Sequence, residues 1–207
     1  FDYGYFSFVY DSSKLKQPPQ SLKELVERND LKIIYEDPRT STPGQGLLLW
    51  VKQVYGDKAP AAWEQLAEKT VTVTKGWSEA YGMFLKGQSD LVLSYTTSPA
   101  YHRLAEHNLQ YRAALFSEGH VRQVEVAGQL KNAAQPKLAQ QFMQFVLSDR
   151  FQNLIPEGNW MYPVTNVVLP KDFNQNETPA KTLSVDAKKL GTQRKVWVKE
   201  WLQAVSH

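Results

Sequence analysis

Short apolar runs alternate with amphipathic ones along the first half of the chain. "FDYGYFSFVY" at residues 1–10 is strand-like, aromatic and in need of neighbours on both sides. "SLKELVER" from Ser21 places Leu22, Leu25 and Val26 on one face behind a Ser cap, which predicts a short helix. "LKIIY" at 31–35 alternates and is β-branched, and "GLLLWVKQVY" after it carries apolar residues at helical spacing. The polar stretch between them therefore reads as a strand-to-helix loop, with Thr42 as N-cap and Pro43 as first helical residue.

The same unit recurs. A helix from Pro60 leads to the strand "TVTVT" at 70–74, then to a helix that Ser78 is expected to cap and that stops at Gly87. The strand "DLVLSY" from Asp90 is followed by a helix with Ser98 as cap and Pro99 at its start. Strands and helices alternating at this spacing predict an α/β fold with a mostly parallel sheet covered on both faces. In such sheets ligands bind beyond the carboxyl ends of the strands. All three polar loops belong at that edge, and free N–H groups at helix starts favour anions there.

The remainder has another character. "VRQVEVAGQL" from Val121 reads as a strand. "PKLAQQFMQFVLSDRFQNLI" reads as one amphipathic helix with Leu138, Phe142, Phe145 and Val146 turned inward. "RKVWVKEWLQAV" is a terminal helix whose Trp197 and Trp201, one turn apart, are assigned to the core. "PEGNWMYPV" is a loop that holds Trp160 and Tyr162 between two prolines, and "NQNETPAK" from Asn174 is the expected mobile surface loop.

Composition narrows the function. The 207 residues are 42% hydrophobic and 22% charged, enough for a sizeable core. The 24 basic and 21 acidic residues are interspersed, with no basic block to track a phosphate backbone, so nucleic acid is not an expected partner. No apolar run approaches the ~20 residues that span a bilayer. The opening on Phe1 rather than Met, inside a strand-like run, gives the expectation that preceding chain has been lost. The absence of cysteine fits an exported protein and many cytosolic ones equally.

Candidate chemistry is of several kinds. Ser and Thr cap helices everywhere, so Thr42, Ser78 and Ser98 acquire meaning only by converging on one edge. Trp77 and Trp160 sit in loops after glycine or asparagine rather than on a helix stripe, which favours a site over core packing. "GWSEA" at 76–80 approximates a nucleophile elbow, with Asp90 and one of His102, His107 or His120 as conceivable partners. Ala80 replaces the second glycine of that motif, and nothing in the sequence fixes a triad geometry. The four histidines lack metal-ligand spacing. Phenolates of Tyr95 and Tyr101 would suit ferric iron, but their hydroxyl-rich neighbours suit an organic ligand better.

"DYGYFSFVYD", "DPRTSTPG", "TVTVTKGWSEAYG", "LVLSYTTSPAYH" and "GNWMYPV" closely resemble the periplasmic thiamine-binding proteins of bacterial ABC transporters, across essentially the whole chain. The resemblance implies an α/β periplasmic binding protein fold of the second type, two lobes with central mixed sheets around a cleft. Residues 9–115 would be the second lobe; residues 1–8 and 116–207 would be hinge strands and the later part of a first lobe that is incomplete in this chain. It implies Ser41, Thr42 and Ser98, with Thr96 and Thr97 in the "YTTS" backbone, beside the phosphate or hydroxyethyl end of the ligand. Trp77, Tyr95 and Tyr101 would line the cleft, with Trp160 arriving from the other side. The ligand would be thiamine or its mono- or diphosphate, with no cofactor, no metal and no membrane insertion. The partner would be the membrane permease and the compartment the periplasm. Aromatic faces suit a thiazolium cation by about 0.5–2 kcal/mol per contact. The implied protein is a binder and not an enzyme. The alternatives are a thiamine-degrading transferase on the same fold, which needs a cysteine nucleophile absent here, and a related ferric iron or polyamine binder.

Overall fold

The structure is a computed structural model and describes residues 1–175 and 177–206. Its spine is strand β1 (Asp2–Asp11), the expected aromatic opening strand. The C-terminal half of β1 pairs antiparallel with β4 (Leu91–Tyr95) and β5 (Tyr111–Ala114); its N-terminal half pairs with β6 (His120–Glu125) and β7 (Tyr162–Pro163). Parallel pairing continues from β4 to β2 (Ile33–Glu36) and on to β3 (Thr70–Thr74), and from β6 to β8 (Thr182–Leu183). The sheet is thus mixed, in the order β3-β2-β4-β1-β6-β8.

Strand alternation splits the core into two layers. Ile33, Tyr35, Leu91 and Leu93 join Phe6 and Phe8 on one face, under α1 (Leu22–Glu27), α2 (Thr42–Tyr55) and α3 (Ala59–Lys69). Ile34, Val92 and Val9 point the other way, onto Ala80, Tyr81 and Phe84 of α4 (Trp77–Leu85). Helices on both faces are what the strand–helix alternation required. Ser21 caps α1 as expected, its hydroxyl accepting from the Glu24 amide at 2.9 Å.

After β6 the structure departs from the sequence reading in two places. The single long helix expected after Pro136 is three short ones, α6 (Pro136–Val146), α7 (Asp149–Gln152) and α8 (Ile155–Gly158). Ser148 interrupts it, its hydroxyl donating back to the Phe145 carbonyl at 2.6 Å. Of the four residues expected to face inward, only Val146 is buried; Leu138, Phe142 and Phe145 are 56%, 53% and 40% exposed. The amphipathic stripe exists, but the described residues provide no layer to cover it. The expected surface loop after Asn174 is anchored at Glu177, which is buried against the Arg103 guanidinium at 2.8 Å; Asn176 lies outside the described residues.

The terminal helix α9 (Ala187–Val205) does what its tryptophans promised. Trp197 and Trp201 are buried in the core with α2 and α3, and the Trp201 indole donates to the Tyr35 hydroxyl at 3.1 Å. Asp186 caps the helix, accepting from the amides of Lys188 and Lys189.

Candidate functional site

The three polar loops meet where the sheet geometry sends them. A cleft of about 740 Å³ is lined by Thr42 and Pro43 at the start of α2, by Trp77, Ser78 and Tyr81 of α4, and by Tyr95 at the end of β4. Ser98 and Tyr101 of α5 (Ser98–Ala105) complete that side. Gln123 and Glu125 of β6 and the 158–161 segment close the far wall, with Trp160.

Six of the nine expected residues therefore share one cavity: Thr42, Trp77, Tyr95, Ser98, Tyr101 and Trp160. Ser41, Thr96 and Thr97 do not line it. They are buried just behind it, and among the described residues the Thr97 hydroxyl lacks a hydrogen-bond partner.

Each helix already includes the hydroxyl residue expected to cap it: α2 begins at Thr42, α4 at Trp77 and α5 at Ser98. The N-caps are Ser41, Gly76 and Thr97, not Thr42, Ser78 and Ser98, and no side chain caps any of the three. The reason is local: Thr42, Ser78 and Ser98 already have helical backbone and sit within the first turn. The consequence is chemical, because first-turn N–H groups that no side chain covers are the usual anion-binding surface of a helix.

Hydrogen bonds tie the wall together. The Trp77 indole N–H donates to Ser94 Oγ at 2.7 Å, and Ser94 Oγ shares a 2.7 Å hydrogen bond with Ser98 Oγ. Trp77 stacks on Tyr81 at 4.9 Å, and the Tyr81 hydroxyl meets His102 Nε2 at 2.9 Å; His102 Nδ1 in turn lies 2.6 Å from Glu106. Although its back edge is fixed in this way, Trp77 remains 40% exposed to the cavity side. Opposite, Trp160 has a left-handed backbone (φ 55°) and sets its ring edge-to-face with Tyr101 at 5.3 Å. Such a backbone is unfavourable for a bulky residue, which makes the placing of this indole a constraint of the fold.

The far wall is acidic. The Tyr95 hydroxyl donates to Gln123 Oε1 at 2.6 Å, and Gln123 Nε2 donates to Glu125 Oε1 at 3.1 Å. Burial, with the neighbouring Asp2 charge second, pushes the Glu125 carboxyl above the usual carboxylate range; burial also raises Asp2 and the Tyr95 hydroxyl.

Tyr81, Gln123, Glu125 and Asn159 were not found by reading the sequence. Two of the signals were present. Tyr81 lies four residues after Trp77 and so on the same helix face, and Gln123 and Glu125 are two apart on a strand and so on one side of the sheet. Of the histidines the elbow reading of Ser78 offered, His102 is committed to Tyr81 and Glu106, His120 lies in the core between the Phe6 carbonyl and the Phe116 amide, and His107 is exposed in the loop after α5. Among the described residues no group of three or more His, Cys, Asp or Glu is placed to hold a metal.

A mixed sheet with helices on both faces and a cleft at the strand ends, walled by aromatics and helix starts, is the architecture of a solute-binding protein. The profile of the bacterial extracellular solute-binding protein family matches residues 1–189, and the chain belongs to that family. It is 64% identical over all 207 residues to the thiamine-binding periplasmic protein of Escherichia coli K12, and 62% identical to that of Salmonella typhimurium LT2. A solved structure of a periplasmic thiamin binding protein superposes with a TM-score of 0.96 at 64% identity, covering 100% of this chain and 65% of that one. The chain spans 63% of the length of the curated relatives.

Proposed function

We propose that this chain is the greater part of the substrate-binding component of a bacterial importer, capturing thiamine and its phosphate esters in the periplasm for delivery to a membrane permease. The observation that carries the reading is the cleft itself. The aromatic faces of Trp77, Tyr95, Tyr101 and Trp160 surround it, and the starts of α2, α4 and α5 open into it. Thiamine is a permanent thiazolium cation joined to a flat aminopyrimidine, with a hydroxyethyl arm that carries the phosphates. Ring faces attract the cation and stack on the pyrimidine. Helix starts receive the anionic arm, at Thr42, Trp77 and Ser98, with the Ser41 and Thr96–Thr97 backbone behind them.

In this reading residues 9–115 form the second lobe. Residues 1–8 and 116–207 supply the hinge and part of the first, with α9 returning to strap the second. Closure of two lobes around the ligand would create the form the permease recognises, with no bond made or broken. Two observations favour binding over catalysis: the similar proteins are named as binding proteins, and two of the four histidines, His102 and His120, are engaged in hydrogen bonds within the fold.

Calorimetric titration with thiamine and thiamine diphosphate tests the reading. Saturable binding is expected, and Trp77→Ala is expected to weaken it by about 1.4 kcal/mol or more, a tenfold change. Absence of binding by the folded chain, or an unchanged affinity in the variant, would refute the site.

A further inference from the structure

Beside the Tyr95–Gln123 pair stand two acids, Asp2 and Glu125, with no side-chain ion pair among the described residues. Asp2 and Glu125 are directly paired across the antiparallel β1–β6 ladder, where like charges destabilise a sheet. Asp2 is fully buried; its Oδ2 accepts from Asn159 Nδ2 at 2.8 Å, and its Oδ1 has no partner among the described residues. Glu125 lines the cleft, with Oε1 accepting from Gln123 and the Asn159 side chain close enough to favour its charged form. No Lys or Arg among the described residues forms an ion pair with either acid. The Phe1 ammonium donates to the main-chain oxygen of Glu125 at 2.6 Å rather than to a carboxylate, and the Arg122 guanidinium lies over the Tyr3 ring. A buried polar group without a partner is costly, so a carboxylate at the lining of a cleft is an arrangement that a bound donor would stabilise.

We propose that Glu125, oriented by the Tyr95–Gln123 relay and backed by Asp2, is the specificity-determining acceptor for the positively charged, amine-bearing ring system of the ligand. It stands at the Tyr95–Gln123 part of the lining, on a different element from the helix starts that take the anionic arm. The inference rests on the function proposed above and adds to it a direction for the ligand. The relay has one consistent polarity: the tyrosine hydroxyl fills the glutamine oxygen, which turns the amide nitrogen to Oε1 and holds the carboxylate at the cleft lining. A cleft with a cation end and an anion end rejects a plain phosphate and a plain amine alike, because each leaves one end unpaired.

The test is Glu125→Gln, which keeps shape and removes charge, titrated calorimetrically with thiamine and with thiamine diphosphate beside the parent chain. Both ligands carry the same rings, so both are expected to weaken by the same factor, about tenfold or more. If Glu125 acted only through its long-range field, neutralising it would weaken the cation thiamine but tighten the anionic diphosphate, and the proposal would fall. Affinities within about twofold of the parent for both ligands would overturn it as well. The melting temperature should not drop, since a like-charge contact is removed; a variant that melts well below the parent would assign Glu125 to the fold instead. Asp2→Asn, carried alongside, is expected to give a smaller loss of the same pattern. A parent chain that binds neither ligand would refute the proposed function, and this assignment with it; binding by the parent with no change in the variant would refute this assignment alone.

Discussion

Replacing Glu36 with Gln should make the protein more stable above neutral pH and flatten its pH profile. Glu36 ends β2, fully buried, and neither carboxylate oxygen has a partner. Being two residues from Ile34 it faces the α4 side of the sheet, where it meets no cation, and desolvation pushes its pKa from 4.5 up to about 8. A carboxyl raised in the folded state contributes stability that is complete below the unfolded value and is lost as pH rises to the folded one. His120 works in the opposite sense. Burial lowers its pKa from 6.5 to about 4, so its contribution is complete above pH 6.5 and is lost as pH falls. The two slopes oppose each other at acid pH, and of the two only Glu36 acts in the 1.5 pH units between 6.5 and 8. At about 1.4 kcal/mol per pH unit for one proton, the parent should lose roughly 2 kcal/mol across that window, a sizeable share of a stability of order 10 kcal/mol. Glu36→Gln mimics the protonated acid and should lose almost none. Urea unfolding followed by circular dichroism at pH 6.5 and pH 8 measures both, and the difference between parent and variant cancels every other titrating group. Parallel profiles for the two proteins would show that Glu36 is ionised or solvated in the folded chain and would sink the reasoning.

Two further substitutions probe the fold around the site. In Gly44→Ala the new Cβ would sit 2.2 Å from the Glu36 carbonyl oxygen and 2.8 Å from main-chain carbons of Glu36 and Asp37. The helix-propensity gain of about 1 kcal/mol is outweighed by an overpacking cost of about 1–3 kcal/mol or more, because backbone cannot step aside. A lower urea midpoint and weaker ligand binding should appear together, since α2 carries Thr42; a rise in midpoint would contradict the close approach. Phe142→Gln, by contrast, alters a half-exposed ring on α6 and should change stability by no more than about 0.5 kcal/mol, while reducing self-association at high concentration by sedimentation. A large loss of stability would mean that the ring is buried in solution.

The legible part of this protein was its alternation. Strand-like runs at 31–35, 70–74 and from Asp90, each followed by a 3.6-residue pattern, point to a covered sheet before any contact is known, and Trp197 and Trp201 one turn apart announced a buried helix face. What was not legible is what periodicity does not encode. A hydroxyl near a helix start is the cap in one frame and a first-turn residue in the next, and the choice turns on a single backbone dihedral: Ser41 at φ −129°, ψ 140° is extended, so the helix begins at Thr42. An apolar stripe on α6 declares that the helix is amphipathic without declaring a partner. Strand β5, "YRAA", has neither alternation nor β-branching and is defined by the backbone of β1 beside it.

The site depended on both kinds of information, and β1 is where they join. Its second half carries Phe6 into the core against Gly46 of α2, a position where any Cβ would fall within 2.3 Å of the phenyl ring; that contact fixes the start of α2 and with it Thr42. Its first half lies beside β6, where Asp2 faces Glu125, and between the halves Gly4 leaves room for Met161 and Tyr95, which would stand 2.6 Å and 3.3 Å from a side chain there. One strand thus sets the helix starts that favour an anion and the acids that favour a cation at a fixed separation, without contributing a side chain to the lining itself. The residues that touch the cleft were partly visible as aromatics and hydroxyls in loops. The residues that space its two ends, Gly4, Gly46 and Phe6, carry no ligand chemistry, and their role follows only from register and packing.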